Sequence, residues 1–242
     1  MNAVEKLTPT CLNCFARQPC PLSALCGDSE SHPQVPVGNV ILRRGQPLSH
    51  QGDRAERLAV VRSGSLKCVY DSVDGREQIV AFALPGDVVD ATMLGSGHHD
   101  ISAVALETSS VCSVSIRSLR PDEAGLPILL RCAGGANPQR LDHTLVIAQR
   151  AARARLAWFI RDLAHRYGEL GLSGSEFTLS MSRHDIANYL ALAIETVSRL
   201  FTDLSRENIL SIHGRVVEVL RPDLLAAIVE GERPAMPIAQ NQ

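Results

Sequence analysis

Apolar and polar positions follow three rhythms along the chain. From Val37 to Ile116 short apolar runs alternate with turn signals, and Gly45, Gly52, Gly64, Gly75 and Gly86 recur at the spacing of bends between strands of about five residues. This predicts a closed antiparallel roll. At Asn137 and Pro138 the period changes, because an asparagine that can accept first-turn amides, followed by proline at the first helical position, opens a helix. Leu141, Leu145, Ala148, Ala152, Leu156, Phe159, Leu163 and Tyr167 then recur three or four positions apart, and Ile147, Ala151, Ala154 and Trp158 mark a second stripe. A helix from Pro138 to about Tyr167 with two apolar stripes needs two partners, its own domain and a second copy of the chain.

The third rhythm follows Gly168, Gly171 and Gly174. In SMSRHDIANYLALAIETVSRLFTDLSRENIL, Ser182 and Asp185 fit a capping box and Ile186, Ala187 and Leu190 supply an apolar face. A break at Ala191 to Ala193 precedes a second helix, Ile194 to Arg206, with Val197, Leu200, Phe201 and Leu204 inward and Asn208 as a left-handed stop. LSIHGRVVEVL then reads as a hairpin around His213 and Gly214. The expected fold class is α+β: an N-terminal antiparallel β-roll, a long dimerisation helix and a C-terminal winged helix-turn-helix. Expected boundaries are a cysteine-rich segment 1–34, the roll 35–136, the helix 137–168 and the winged domain 169–242.

Composition narrows the function. The 242 residues are 45% hydrophobic, enough for a sizeable core. Met1 to Thr8 is polar and no apolar run approaches the roughly 20 residues of a membrane helix, so neither anchor nor secretory leader is expected and the cytoplasm is the expected location. A net charge of −2 gives no bulk attraction to nucleic acid, so if the protein binds DNA, local residues must show it. Glu195, Ser198 and Arg199 share one helix face, and their groups suit cytosine N4 and guanine O6 and N7. Arg183 and Arg215 are the expected phosphate contacts, since segment 181–221 holds five arginines against five acids and has no basic patch. No catalytic acid, nucleophile or cofactor loop is apparent, and no enzyme is expected.

Seven cysteines remain, four of them in CLNCFARQPCPLSALC at positions 11–26. In a reducing compartment such a cluster is expected to be reduced and to bind metal or do redox chemistry rather than form disulfides. Four thiolates complete either a tetrahedral zinc or a cubane iron-sulfur site, but only one C-x2-C knuckle, Cys11 and Cys14, is present. Cys68 and Cys132 read as small buried hydrophobes on a strand and a helix, and His98 and His99 as residues of a glycine-rich turn.

RHDIANYLALAIETVSRLF closely resembles the helix-turn-helix of the FNR branch of the CRP/FNR transcription regulators. RSGSLK, DGREQIVAF, PGD, GSGHH and ALETSSVC extend the resemblance over nearly the whole chain. It implies a homodimer reading inverted repeats of TTGAT-like half-sites with Glu195, Ser198 and Arg199, and an RNA polymerase contact at the VDGRE turn. It also implies a [4Fe-4S] cluster on an N-terminal C-x2-C-x5-C and one remote cysteine, which Cys11, Cys14, Cys20 and Cys112 match. Cys26 creates a rival set with Cys14 and Cys20, because PLSALC resembles the stretch ending at the family's third ligand. Cys20 lies twenty-five residues before Gly45 and Cys26 nineteen, and the first spacing is closer to the family's.

The implied function is oxygen-sensing transcription regulation; the alternatives are a nitric oxide or general redox sensor of the same fold, or a zinc-stabilised DNA-binding protein. The roll also resembles cyclic-nucleotide-binding folds, but DVVDATMLGSGHHDISAVAL lacks the arginine and glutamate of cAMP-binding members, so no cyclic nucleotide is expected. Ala191 and Ala193 depart from the family's usual glycine and threonine, each at a cost of about 1 kcal/mol. GDSESHPQVPV replaces the family's short acidic helix, with Pro33 and Pro36 opposing one.

Overall fold

Strand β3 (Arg57–Ser63) lacks the alternation of a half-buried strand because both its faces are covered. Ala59 and Val61 point into a core with Leu42, Leu66, Cys68, Val89 and Val111. Leu58 and Val60 point the other way, onto Leu22, Met93, Val114, Ile128 and Cys132. In this computed structural model, which describes residues 11–26, 37–119, 125–135, 143–148 and 151–231, two four-stranded antiparallel sheets form the roll. One runs β1 (Val37–Leu42), β8 (Ser109–Ser115), β3, β6 (Val88–Val89); the other runs β2 (Pro47–Ser49), β7 (Ser102–Ala105), β4 (Leu66–Asp71), β5 (Glu77–Ala83).

The outer face of β3 and β8 is roofed by two 3-10 turns, Cys11–Asn13 and Pro21–Cys26, and by helix α2 (Gly125–Gly135); the short α1 (Met93–Ser96) adds Met93. Gly86, at φ +95, lies so close to Pro19 that a Cβ there would meet its Cγ at 2.6 Å. The N-terminal segment is therefore fitted to the bend after β5.

The chain divides into two units, Met1–Asp142 and His143–Gln242. In the second, α3 (Ala152–Glu169) buries Leu156, Phe159, Ile160 and Leu163 and packs on α6 (Pro222–Glu230). Helices α4 (Arg183–Tyr189) and α5 (Ile194–Arg206) adjoin a three-stranded sheet ordered β10 (Leu210–His213), β11 (Val216–Val219), β9 (Glu176–Thr178). This is the winged arrangement, with hairpin β10–β11 as the wing.

One expected element is corrected. The helix from Pro138 to Tyr167 is not continuous: residues 143–148 are helical, Ala151 is extended at ψ 155, and α3 starts at Ala152. Alanine is the best helix former and no proline or glycine lies between 139 and 167, so local sequence does not cause the break. Tertiary contacts hold the 143–148 stretch instead. The His143 ring stacks on Tyr189 at 3.9 Å between centroids, and its Nε2 lies 2.8 Å from the Tyr189 carbonyl oxygen. Gly134 and Gly135 are the last two residues of helix α2. The proposed start at Asn137 and Pro138, and the stretch GDSESHPQVP, lie outside the described residues.

Candidate cysteine centre and nucleic-acid interface

The first turns of the described chain curl the cysteine segment on itself. Cys14 N–H donates to the Cys11 carbonyl at 3.2 Å, Arg17 N–H to Cys14 at 3.0 Å and Cys20 N–H to Ala16 at 3.1 Å. Ala16 and Leu22, 1% and 2% exposed, anchor the curl to the roll. Beneath it, Cys112 stands on β8 between Asn39 of β1 and Val60 of β3. Strand alternation puts it on the same outward face as Val114. Cys11, Cys14, Cys20 and Cys112 consequently line one small cavity, with Val60, Val61 and Arg62 on its strand side.

Cys14, Cys20 and Cys112 are free thiols. Cys11 is not: its sulfur is in a disulfide, which corrects the expectation of uniformly reduced thiols. In that state Cys11 needs reduction before its thiolate can act as a ligand. The backbone of Cys26 lies in the turn Pro21–Cys26, while its side chain lies outside the described residues.

Burial is the main influence on Cys20, Cys112 and Cys132. It pushes Cys112 up to about 11, against the pull of Arg62, with Cys20 and Cys14 adding to the rise. Cys20 is raised by the same cause, and Cys132, buried in α2, is pushed up to about 12. Ligation must therefore displace protons. Among the described residues no three His, Cys, Asp or Glu side chains converge as needed to hold a single ion. Four cysteines line that one cavity, three of them as free thiols.

The remaining sequence candidates in this unit have other roles. Cys68 and Cys132 are buried, on β4 and α2. His99 Nδ1 lies 3.1 Å from Oδ2 of the buried Asp90, which also accepts from Asp100 N–H, while His98 is exposed beside Ser96. They do not form a metal pair.

In the second unit the capping box is formed: Asp185 N–H donates to Ser182 Oγ at 3.1 Å and Ser182 N–H to Asp185 Oδ2 at 3.0 Å. Ala191 takes the left-handed turn at φ 51, Asn208 stops α5 at φ 54, and Ala193 leaves the α5 start without a side-chain cap. Val197, Phe201 and Leu204 are buried, which leaves Glu195, Ser198 and Arg199 exposed together on the opposite face.

The two expected phosphate contacts are engaged elsewhere. The Arg183 guanidinium lies 3.5 Å from the Phe201 ring centre, and Arg215 donates to the carbonyls of Leu179 and Ser180. Both brace the domain in this structure. Sequence reading also missed Arg155, whose Nη1 donates to the Leu190 carbonyl at 3.1 Å and so supports the turn between α4 and α5. Only its place in a helix pattern was visible beforehand.

A winged helix-turn-helix with Glu195, Ser198 and Arg199 exposed on its second helix is the architecture of a DNA-binding transcription regulator rather than of an enzyme. Residues 154–228 match the model of the Crp-like helix-turn-helix domain and residues 39–121 that of the cyclic nucleotide-binding domain. The "Fumarate and nitrate reduction regulatory protein" of Salmonella typhimurium strain LT2 is 36% identical over 222 residues, covering 87% of this chain and 89% of the relative. Its Escherichia coli K12 counterpart is 35% identical over the same span. The structure of FixK2 from Bradyrhizobium japonicum superposes with a TM-score of 0.72 at 29% identity, covering 82% of this chain and 98% of the other. The chain belongs to the CRP/FNR family of transcription regulators, and is FNR-like within it.

Proposed function

We propose that the protein is an oxygen-responsive regulator holding a [4Fe-4S] cluster on Cys11, Cys14, Cys20 and Cys112. The observation that carries this reading is the common cavity lined by those four cysteines, three from one curled segment and one from a strand about ninety residues away. Such a cluster supplies a group that oxidants attack. The chain's part is to present the sulfurs, exclude bulk water through Ala16, Leu22 and Val60, and couple the segment to the roll at Pro19 and Gly86.

DNA is read by Glu195, Ser198 and Arg199 in TTGAT-like half-sites of an inverted repeat, by a homodimer in the cytoplasm that also contacts RNA polymerase. Two recognition helices at fixed separation are what two half-sites require. Dimerisation along 138–167 requires the pieces 143–148 and 152–169 to join, which the helix-forming character of Ala151 permits.

The test is anaerobic reconstitution with iron and sulfide, followed by absorption and Mössbauer spectra and operator binding before and after air. Four iron atoms per chain and binding lost in air are expected, by the composition of a cubane cluster. A colourless protein that keeps stoichiometric zinc and binds its operator equally well in air sinks the reading. The Cys11 disulfide favours a second reading, a general thiol-redox sensor. In that case iron-free protein should gain or lose operator binding on addition of a dithiol.

A further inference from the structure

Arg62 lines the thiol cavity from β3 and is only partly exposed. Among the described residues it has no carboxylate or hydrogen-bond partner. Its placement is specific. Val61 pairs with Val111 and Ser63 with Ser110, so Arg62 is the extra residue of a bulge, and bulges re-aim the side chains they carry. The next residue, Gly64 at φ +76, leaves no room for a Cβ against Ser109, which fixes the strand end and prevents the register from slipping.

A partly buried guanidinium without a counter-ion is costly, and the cavity it faces is lined by thiols. Arg17 also lines the cavity, so the positive charge is shared.

We propose that Arg62 is the counter-charge of the cysteine site, a positioning residue that retains an anionic iron-sulfur cluster and sets how readily it exchanges an electron. This rests on the cluster reading above. One-electron reduction adds a negative charge to the site, and a neighbouring cation favours it. Oxidation passes one electron to dioxygen, giving superoxide, and the same cation opposes that step.

The experiment is a spectroelectrochemical titration of the full-length, anaerobically reconstituted chain in wild-type, Arg62→Lys and Arg62→Gln forms. The midpoint of Arg62→Gln should move to a more negative potential and its cluster absorbance should decay several-fold faster in air, while Arg62→Lys stays near wild type. Equal midpoints and equal decay in Arg62→Gln and wild type, at equal iron content, overturn the inference and leave the cluster reading standing. A wild-type chain that takes up no iron overturns both. If Arg62→Gln does not fold, Arg62→Met, which fills similar space without charge, decides by the same criteria.

Discussion

At Cys112 burial and charge act in opposite directions. The thiol is held protonated up to about 11, above the ordinary value of 9.0, so between those values the folded state binds a proton that the unfolded chain has released. Stability of the iron-free protein should be intact below pH 9.0 and fall as pH rises towards about 11. Urea midpoints measured across that range check the sign. Cys112→Ser should abolish iron uptake without unfolding the roll, because serine fills nearly the same space on β8; iron analysis beside circular dichroism separates the two outcomes. In the second unit, Arg199→Ala should remove about 1–3 kcal/mol of discrimination between a TTGAT-like site and a scrambled one. Competition binding at fixed salt reads that loss.

At the scale of elements, the helix-turn-helix carries a local cost that a single change relieves. Ala191 is exposed and left-handed at φ 51, a conformation that disfavours any side chain. Ala191→Gly should stabilise the second unit by about 1 kcal/mol in urea unfolding. The 143–148 stretch depends on a different balance. His143 is 9% exposed and burial lowers its pKa from 6.5, so it is docked neutral. The unfolded chain binds the extra proton below 6.5, and the docked stretch should therefore loosen as pH falls through that value. Amide exchange of residues 143–148 should quicken in acid, and His143→Ala should make it fast at neutral pH as well.

For the whole molecule, exposure of Glu195, Ser198 and Arg199 on one helix supplies one reader per chain. An operator with two half-sites one helical turn apart should bind the cluster-loaded protein about a hundredfold or more tighter than a single half-site. Fluorescence anisotropy with full-site and half-site duplexes measures the ratio. Equal affinities would mean that each chain binds alone.

Much of this protein was legible as sequence because the relevant physics is local. Glycine spacing marked the bends of the roll, Ser182 and Asp185 announced the start of α4, Asn208 its neighbour's end, and Val197, Phe201 and Leu204 placed Glu195, Ser198 and Arg199 on the free face. Cys11, Cys14 and Cys20 were singled out through the resemblance to the family's C-x2-C-x5-C spacing, and in the structure they line one cavity because the short segment that carries them is curled. Other features were decided only by residues distant in the chain. Arg62 faces the thiols because a bulge turns it there, Arg183 and Arg215 are engaged by Phe201 and two carbonyls, and Ala151 is extended although alanine favours helix. Periodicity along one chain records which residues prefer to be buried; it does not record which surface will bury them, and tertiary structure made that choice.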